Sequence, residues 1–315
     1  MALHQASGRW RLGLALSIAT AVSWASLPVA LKVVLEAVDP ITLTWFRFLV
    51  AAVLTGAWLA WHGRLRGWAL PARGWAMLGV AGVMLLGNYV FYLLGVQHTT
   101  PANAQLLIQL APLLMALGGI WVFGERFVAA QWLGLALLVA GMGLFFADQL
   151  RAALHAPGYV RGALLVVAAA IAWAVYALLQ KQLLVRLQSM QVLLAIYVIA
   201  ALLLWPFARP STLAGLDALH AGLLAFCALN TVAAYGAFAE ALAHWDASRV
   251  SAVLALTPLL CIAVASLVSA LWPALLAPER IAPLGWVGAV LVVAGSACVS
   301  LLGARRARVV VEPQA

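Results

Sequence analysis

One arginine, Arg47, interrupts the apolar run that opens at Pro40 and closes at Trp61. Seven residues past Pro40, it lies about 10 Å into any helix that begins there. A charge at that depth is expensive in hydrocarbon, so it calls for a partner or a function. Two readings stand side by side. Arg47 faces the interior and holds a carboxylate on a small molecule, or its long stem carries the guanidinium to the interface. Glu240 poses a parallel question near the end of the run 218–242. A buried carboxylate is desolvated and its pKa rises, which would let it take up and release a proton. At an interface, the same residue would pair with Arg249 or with water.

A larger polar set falls deeper in the apolar runs. Asn88, Tyr89 and Tyr92 share one run, Asn230 and Tyr235 another, and Trp24, Trp173 and Tyr176 complete an aromatic group. Gln105 and Gln109, four residues apart, fall on one face if their run is a continuous helix. Pro112 follows three residues on, and Pro258 follows Thr257 in a later run. Proline removes a backbone hydrogen bond and frees a carbonyl, which is tolerated at membrane depth where the backbone lines a cavity or neighbours repair it. Together these residues could line a cavity suited to a partly apolar zwitterion. The alternative is that Asn, Gln and Tyr only join helices, worth about 0.6–2 kcal/mol per contact. Lys32 and Lys181 fall at run ends, where snorkelling accounts for them. Glu125 and Glu279 precede helix starts, where a carboxylate complements the helix dipole. His98 and His244 fall in connections.

The elements that position these groups must be membrane helices. Of 315 residues, 66% are hydrophobic and only 9% are charged, against roughly 25% charged in soluble domains. Such a chain needs lipid as its solvent. Ten apolar runs are long enough to span, at about 12–34, 40–61, 74–96, 101–123, 129–148, 160–184, 190–207, 218–242, 248–272 and 283–302. Trp10, Trp61, Trp75, Trp132, Trp205, Trp272 and Trp286 fall near their ends, where indoles settle at headgroups. With the N-terminus in the cytoplasm, 12 Lys and Arg residues face inward and 5 outward, with Arg47 inside a helix. That bias places both termini in the cytoplasm of a cell whose inner membrane holds the protein. The formal charge of +9 is spread over run ends and forms no basic face, which argues against a nucleic-acid partner. The partners implied are the bilayer and a small-molecule substrate. Cys227, Cys261 and Cys298 have no paired spacing and read as core residues. No P-loop, nucleophile elbow or metal-binding His-Glu-x-x-His pattern occurs. No cofactor, metal or enzymatic activity is therefore expected.

An internal repeat organises the whole. Gly13, Trp24 and Lys32 recur 149 residues later as Gly162, Trp173 and Lys181. His98, Pro112 and Leu113 recur at an offset of 146, as do Tyr89 and Tyr235. Glu125-Arg126, Trp132, Gly134 and Val139-Ala140-Gly141 recur at an offset of 154. Apolar stretches resemble one another by chance, but Trp, Lys, Pro, Glu-Arg and Gly in matching order do not. The expected architecture is all-α, ten transmembrane helices in two five-helix repeats, 1–155 and 156–315. An odd number of helices per repeat makes the second copy enter from the opposite side. Inverted repeats of that kind recur in secondary transporters, whose halves rock around a central site.

Taken in order, Trp24-Ala25-Ser26-Leu27-Pro28 with Lys32, Arg47, Ala102 to Pro112, Gly124-Glu125-Arg126 and Gln131-Trp132-Leu133-Gly134 with Gly141 carry a resemblance. The chain resembles the drug/metabolite transporter superfamily, in its EamA-type ten-helix branch. Two features depart from that pattern: Ala25 stands where Gly usually follows the Trp, and eight extra residues separate Pro258 from Glu279 relative to Pro112 and Glu125. The resemblance implies a transporter of small metabolites, with amino-acid export the leading expectation and proton coupling a further one. A flippase for a lipid-linked substrate, a membrane-embedded enzyme and an accessory bundle are the alternatives.

Overall fold

The computed structural model describes residues 9–65, 68, 70–123, 128–153, 158–183, 186–244, 250, 253–254, 256–278 and 281–303. Among these the regular structure is helical: α1 (Trp10–Val34), α2 (Pro40–Trp61), α3 (Ala72–His98), α4 (Pro101–Leu107), α5 (Leu110–Phe123), α6 (Ala129–Ala153), α7 (Tyr159–Leu183), α8 (Ser189–Leu204), α9 (Ala218–His244), α10 (Thr257–Leu271) and α11 (Pro283–Gly303). Among the described residues six helices are long and apolar enough to cross a membrane, and α6, α10 and α11 carry shorter apolar stretches. Val53, Leu133, Leu164 and Leu202 turn outward, as a lipid-solvated bundle requires. Trp10, Trp61, Trp75, Trp132, Trp205, Trp272 and Trp286 are exposed near helix ends. This is a multi-pass membrane protein.

Local chemistry sets the helix starts. Asp39 accepts hydrogen bonds from the N–H groups of Ile41 and Thr42, both at 3.0 Å, with Pro40 in the first turn of α2. Thr100 caps α4 in the same way through Asn103 N–H, with Pro101 following it. Gln188 and Gln191 form a reciprocal capping box at α8. Asp217 caps α9, and the His220 N–H that it accepts holds its carboxyl below the usual carboxylate range.

The run 101–123 is not one continuous helix. It breaks at Ile108–Gln109 into α4 and α5. Pro112 has no N–H to give to the carbonyl four residues back. The Ile108 carbonyl accepts instead from Ala111 N–H at 2.9 Å, and Gln109 N–H turns to Leu106 at 3.1 Å. Gln109 therefore falls in the turn and does not share a helix face with Gln105, as the four-residue spacing suggested. At Pro258 the carbonyl released is that of Leu254, and Thr257 Oγ1 donates to it at 2.5 Å. The carbonyls that the two prolines release thus accept from different donors, a backbone N–H at Ile108 and a side-chain hydroxyl at Leu254.

The helices pair across the chain. α3 packs on α7, α1 on α9, α2 on α8 and α6 on α11. The α6–α11 crossing is the closest. A Cβ on Gly141 would stand 2.6 Å from the Gly288 carbonyl oxygen, and one on Gly295 would stand 2.5 Å from that of Gly134. The later glycine of one helix meets the earlier glycine of the other, so the two helices run antiparallel. Gly79 and Gly143 have open space around them. Ala25, the departure from the family pattern, is fully buried.

Lys32 does not snorkel. Its ammonium donates to the carbonyls of Val96, Gln97 and Thr99 at 2.7–2.9 Å. It thereby satisfies the end of α3, where carbonyls lack helical partners and the dipole favours a cation. Glu125-Arg126, Glu279-Arg280 and Arg249, and the side chains of Lys181 and Pro112, lie outside the described residues.

Candidate functional site

Arg47 sits in the middle turns of α2 and is 2% exposed. Its Nε donates to Thr231 Oγ1 at 3.1 Å, and Thr231 in turn donates to the Cys227 carbonyl at 2.9 Å. The guanidinium carbon stands 4.7 Å from the centre of the Tyr89 ring. Among the described residues Arg47 has no carboxylate partner. The interface reading therefore fails, because the stem does not reach out of the bundle. A positive charge is held inside by one hydroxyl and one aromatic face.

Aromatic rings extend from this point. Phe48 packs on Tyr89 at 4.6 Å and on Tyr197 at 5.8 Å. Tyr235, which matches Tyr89 at the 146-residue offset, lies on the same face of α9 as Thr231. Its ring meets Trp24 edge-on at 5.6 Å, and Trp24 also contacts Phe238 at 5.7 Å. Helices α1, α2, α3 and α9 thus converge on Arg47. Trp173 and Tyr176 meet each other edge-on at 6.5 Å along α7.

The amide residues divide. Asn88 Nδ2 donates to the Ala169 carbonyl at 2.9 Å, joining α3 to α7, and Asn230 Nδ2 donates to the Ser23 carbonyl at 2.9 Å, joining α9 to α1. Both behave as helix connectors. Tyr92 donates to Gln105 Oε1 at 3.2 Å, which makes a second polar contact where α3 meets the broken segment. Gln109 is buried in the turn beside it.

Glu240 departs most from expectation. Its side chain is 62% exposed and contacts His244 Nε2 at 3.0 Å, one turn on. The burial that a proton-carrying carboxylate was expected to have is absent, because Glu240 lies on the outward face of α9. Thr231, Phe48 and Phe238 complete the site and were not singled out from sequence. Thr231 carried a readable signal, since it lies four residues before Tyr235 and so on the same helix face. The two phenylalanines are indistinguishable by type from any apolar core residue.

Comparisons with known proteins agree with this architecture. The profile of the EamA-like transporter family matches residues 11–147 and again residues 160–301. The chain is 37% identical over 289 residues, 90% of its own length and 90% of the relative, to the uncharacterized inner membrane transporter YhbE of Escherichia coli (strain K12). A probable amino-acid metabolite efflux pump of the same organism is 25% identical, covering 89% of this chain and 92% of that one. The aromatic amino acid exporter YddG of Ancylobacter novellus is 31% identical over 160 residues, 50% of this chain and 54% of that one. A solved structure described as a crystal structure of protein shares the fold at a TM-score of 0.61 and 22% identity, covering 94% of this chain and 99% of that one.

Proposed function

The chain belongs to the EamA-like transporter family, and from that membership we propose that it is a secondary transporter exporting amino acids or related small metabolites across the inner membrane. The observation that carries this reading is Arg47. A guanidinium 2% exposed, with no described carboxylate beside it, is costly to hold at membrane depth and serves well as a fixed anchor for a substrate carboxylate. Tyr89, Tyr235, Trp24 and Phe48 give that anchor an aromatic surround fit for an apolar side chain. The relatives named for amino-acid efflux point to the same substrate class.

In this reading, transport proceeds by alternating access between two inverted five-helix repeats, 1–155 and 156–315, with both termini in the cytoplasm. Two observations support it. The antiparallel α6–α11 crossing joins Gly141 to Gly288 and Gly134 to Gly295, and exchanging each glycine for its counterpart in the repeat returns the same two contacts. The α3–α7 and α1–α9 pairs exchange in the same way. A two-fold relation makes two rocked states similar in energy, which is what a carrier needs. Pro112 and Pro258 are the hinges we assign to that motion, since each already interrupts its backbone ladder.

The test is an export profile. Cells expressing the protein and vector controls are loaded with amino acids and dipeptides, and the medium is quantified by mass spectrometry. Selective accumulation outside the expressing cells is the expected result. A flat profile, with the protein verified in the membrane, overturns it and favours a lipid-linked substrate.

A further inference from the structure

We propose that the Arg47 site selects a carboxylate on an otherwise uncharged apolar or aromatic body, and that a substrate ammonium adds little to binding. This rests on the reading of Arg47 as the carboxylate anchor and narrows the substrate class it accepts.

The argument starts from what an ammonium needs inside this protein. Lys32 supplies an internal comparison: its ammonium donates to three backbone carbonyls at 2.7–2.9 Å. No comparable set of acceptors surrounds Arg47 among the described residues. The two carbonyls released by Pro112 and Pro258 are already occupied, Ile108 by Ala111 N–H and Leu254 by Thr257 Oγ1. Asn230 Oδ1 has no partner, but it is sealed between α9 and α1, where Nδ2 of the same amide holds the Ser23 carbonyl. The Trp24 carbonyl, which loses its helical donor to Pro28, is one neutral acceptor where Lys32 uses at least three.

Electrostatics point the same way. The ammonium of an α-amino acid lies next to its carboxylate, so docking the carboxylate on Arg47 brings two positive charges close together in a medium that screens them poorly. A site built for zwitterions would answer with an acidic side chain, and none of the described acidic residues lies against Arg47. The aromatic faces do not replace it. That of Tyr89 already carries the guanidinium at 4.7 Å, and Trp24 is packed by Tyr235 and Phe238. Removing the amino group therefore removes a desolvation and repulsion cost while leaving the carboxylate and the ring contacts intact.

The experiment is isothermal titration of the purified full-length protein in lipid nanodiscs with L-phenylalanine, 3-phenylpropionate and L-phenylalaninamide. The expected result is that 3-phenylpropionate binds within about threefold of L-phenylalanine or tighter, that the amide does not bind, and that Arg47→Gln loses both ligands. If L-phenylalanine binds and 3-phenylpropionate is weaker by about tenfold or more, the inference is overturned while the Arg47 anchor stands. If the amide binds as well as the acid, both fall. Silence from all three ligands also overturns the proposed class, and the export profile then decides the transport reading on its own.

Discussion

The Arg47 guanidinium lies over the face of Tyr89, 4.7 Å from the ring centre, in the interior of a bundle whose described residues offer it no carboxylate. One residue of this pair belongs to α2 and the other to α3, so their contact depends on how the two helices are set. A cation on an aromatic face is worth about 0.5–2 kcal/mol. Tyr89→Phe keeps the ring and should keep substrate affinity within about twofold, whereas Tyr89→Leu should weaken it roughly 2- to 30-fold. Affinities in proteoliposomes distinguish the two, and equal losses would mean that the hydroxyl matters more than the face.

Arg47→Gln should abolish transport while the amount of inserted protein stays at the wild-type level. A buried charge held by one hydroxyl contributes little to stability, so its removal should not unfold the bundle. Quantitative blotting of membranes alongside flux reads both quantities. Loss of the protein itself would return Arg47 to a structural role.

Glu240→Gln should leave the pH dependence of flux unchanged. Glu240 is exposed and pairs only one turn along its own helix, and exposed pairs contribute about 0–1 kcal/mol. Flux measured from pH 5 to pH 8, as a set of roughly half-unit steps, is the check. A flattened profile in the variant would restore the proton to this residue.

Gly141→Ala should destabilise the protein by about 1–3 kcal/mol, since the added methyl overlaps backbone across the α6–α11 crossing and cannot be relieved by side-chain motion. Gly143→Ala, two residues on with open space around it, is the matched control and should be close to neutral. Thermal unfolding in detergent compares them. Similar melting points would show that the crossing is looser than the glycine contacts imply.

Thr257→Val should cost about 1–3 kcal/mol by stranding the Leu254 carbonyl that Pro258 releases, and Thr257→Ser should restore most of it. Thermal unfolding of the two variants tests the repair directly. A Val variant as stable as wild type would mean that another donor reaches the carbonyl.

Much of this protein follows from sequence because its cause is local or compositional. Lipid solvation follows from the scarcity of charge. Helix starts follow from Asp39-Pro40 and Thr100-Pro101, whose caps act within one turn. The expectation of a repeat rests on Trp, Gly, Pro and Glu-Arg in matching order, and the family resemblance rests on the same residues. Tertiary structure decided which of two readings holds for each polar group, since depth along a helix says nothing about which way a side chain points. Arg47 and Glu240 were read alike, as charges with an inward and an interfacial option. Rotation of α2 buries the first against Thr231 and Tyr89, and rotation of α9 leaves the second outside. Lys32 shows the same limit, because the carbonyls it caps lie more than sixty residues away. A partner that distant in the chain becomes a neighbour only when the helices pack.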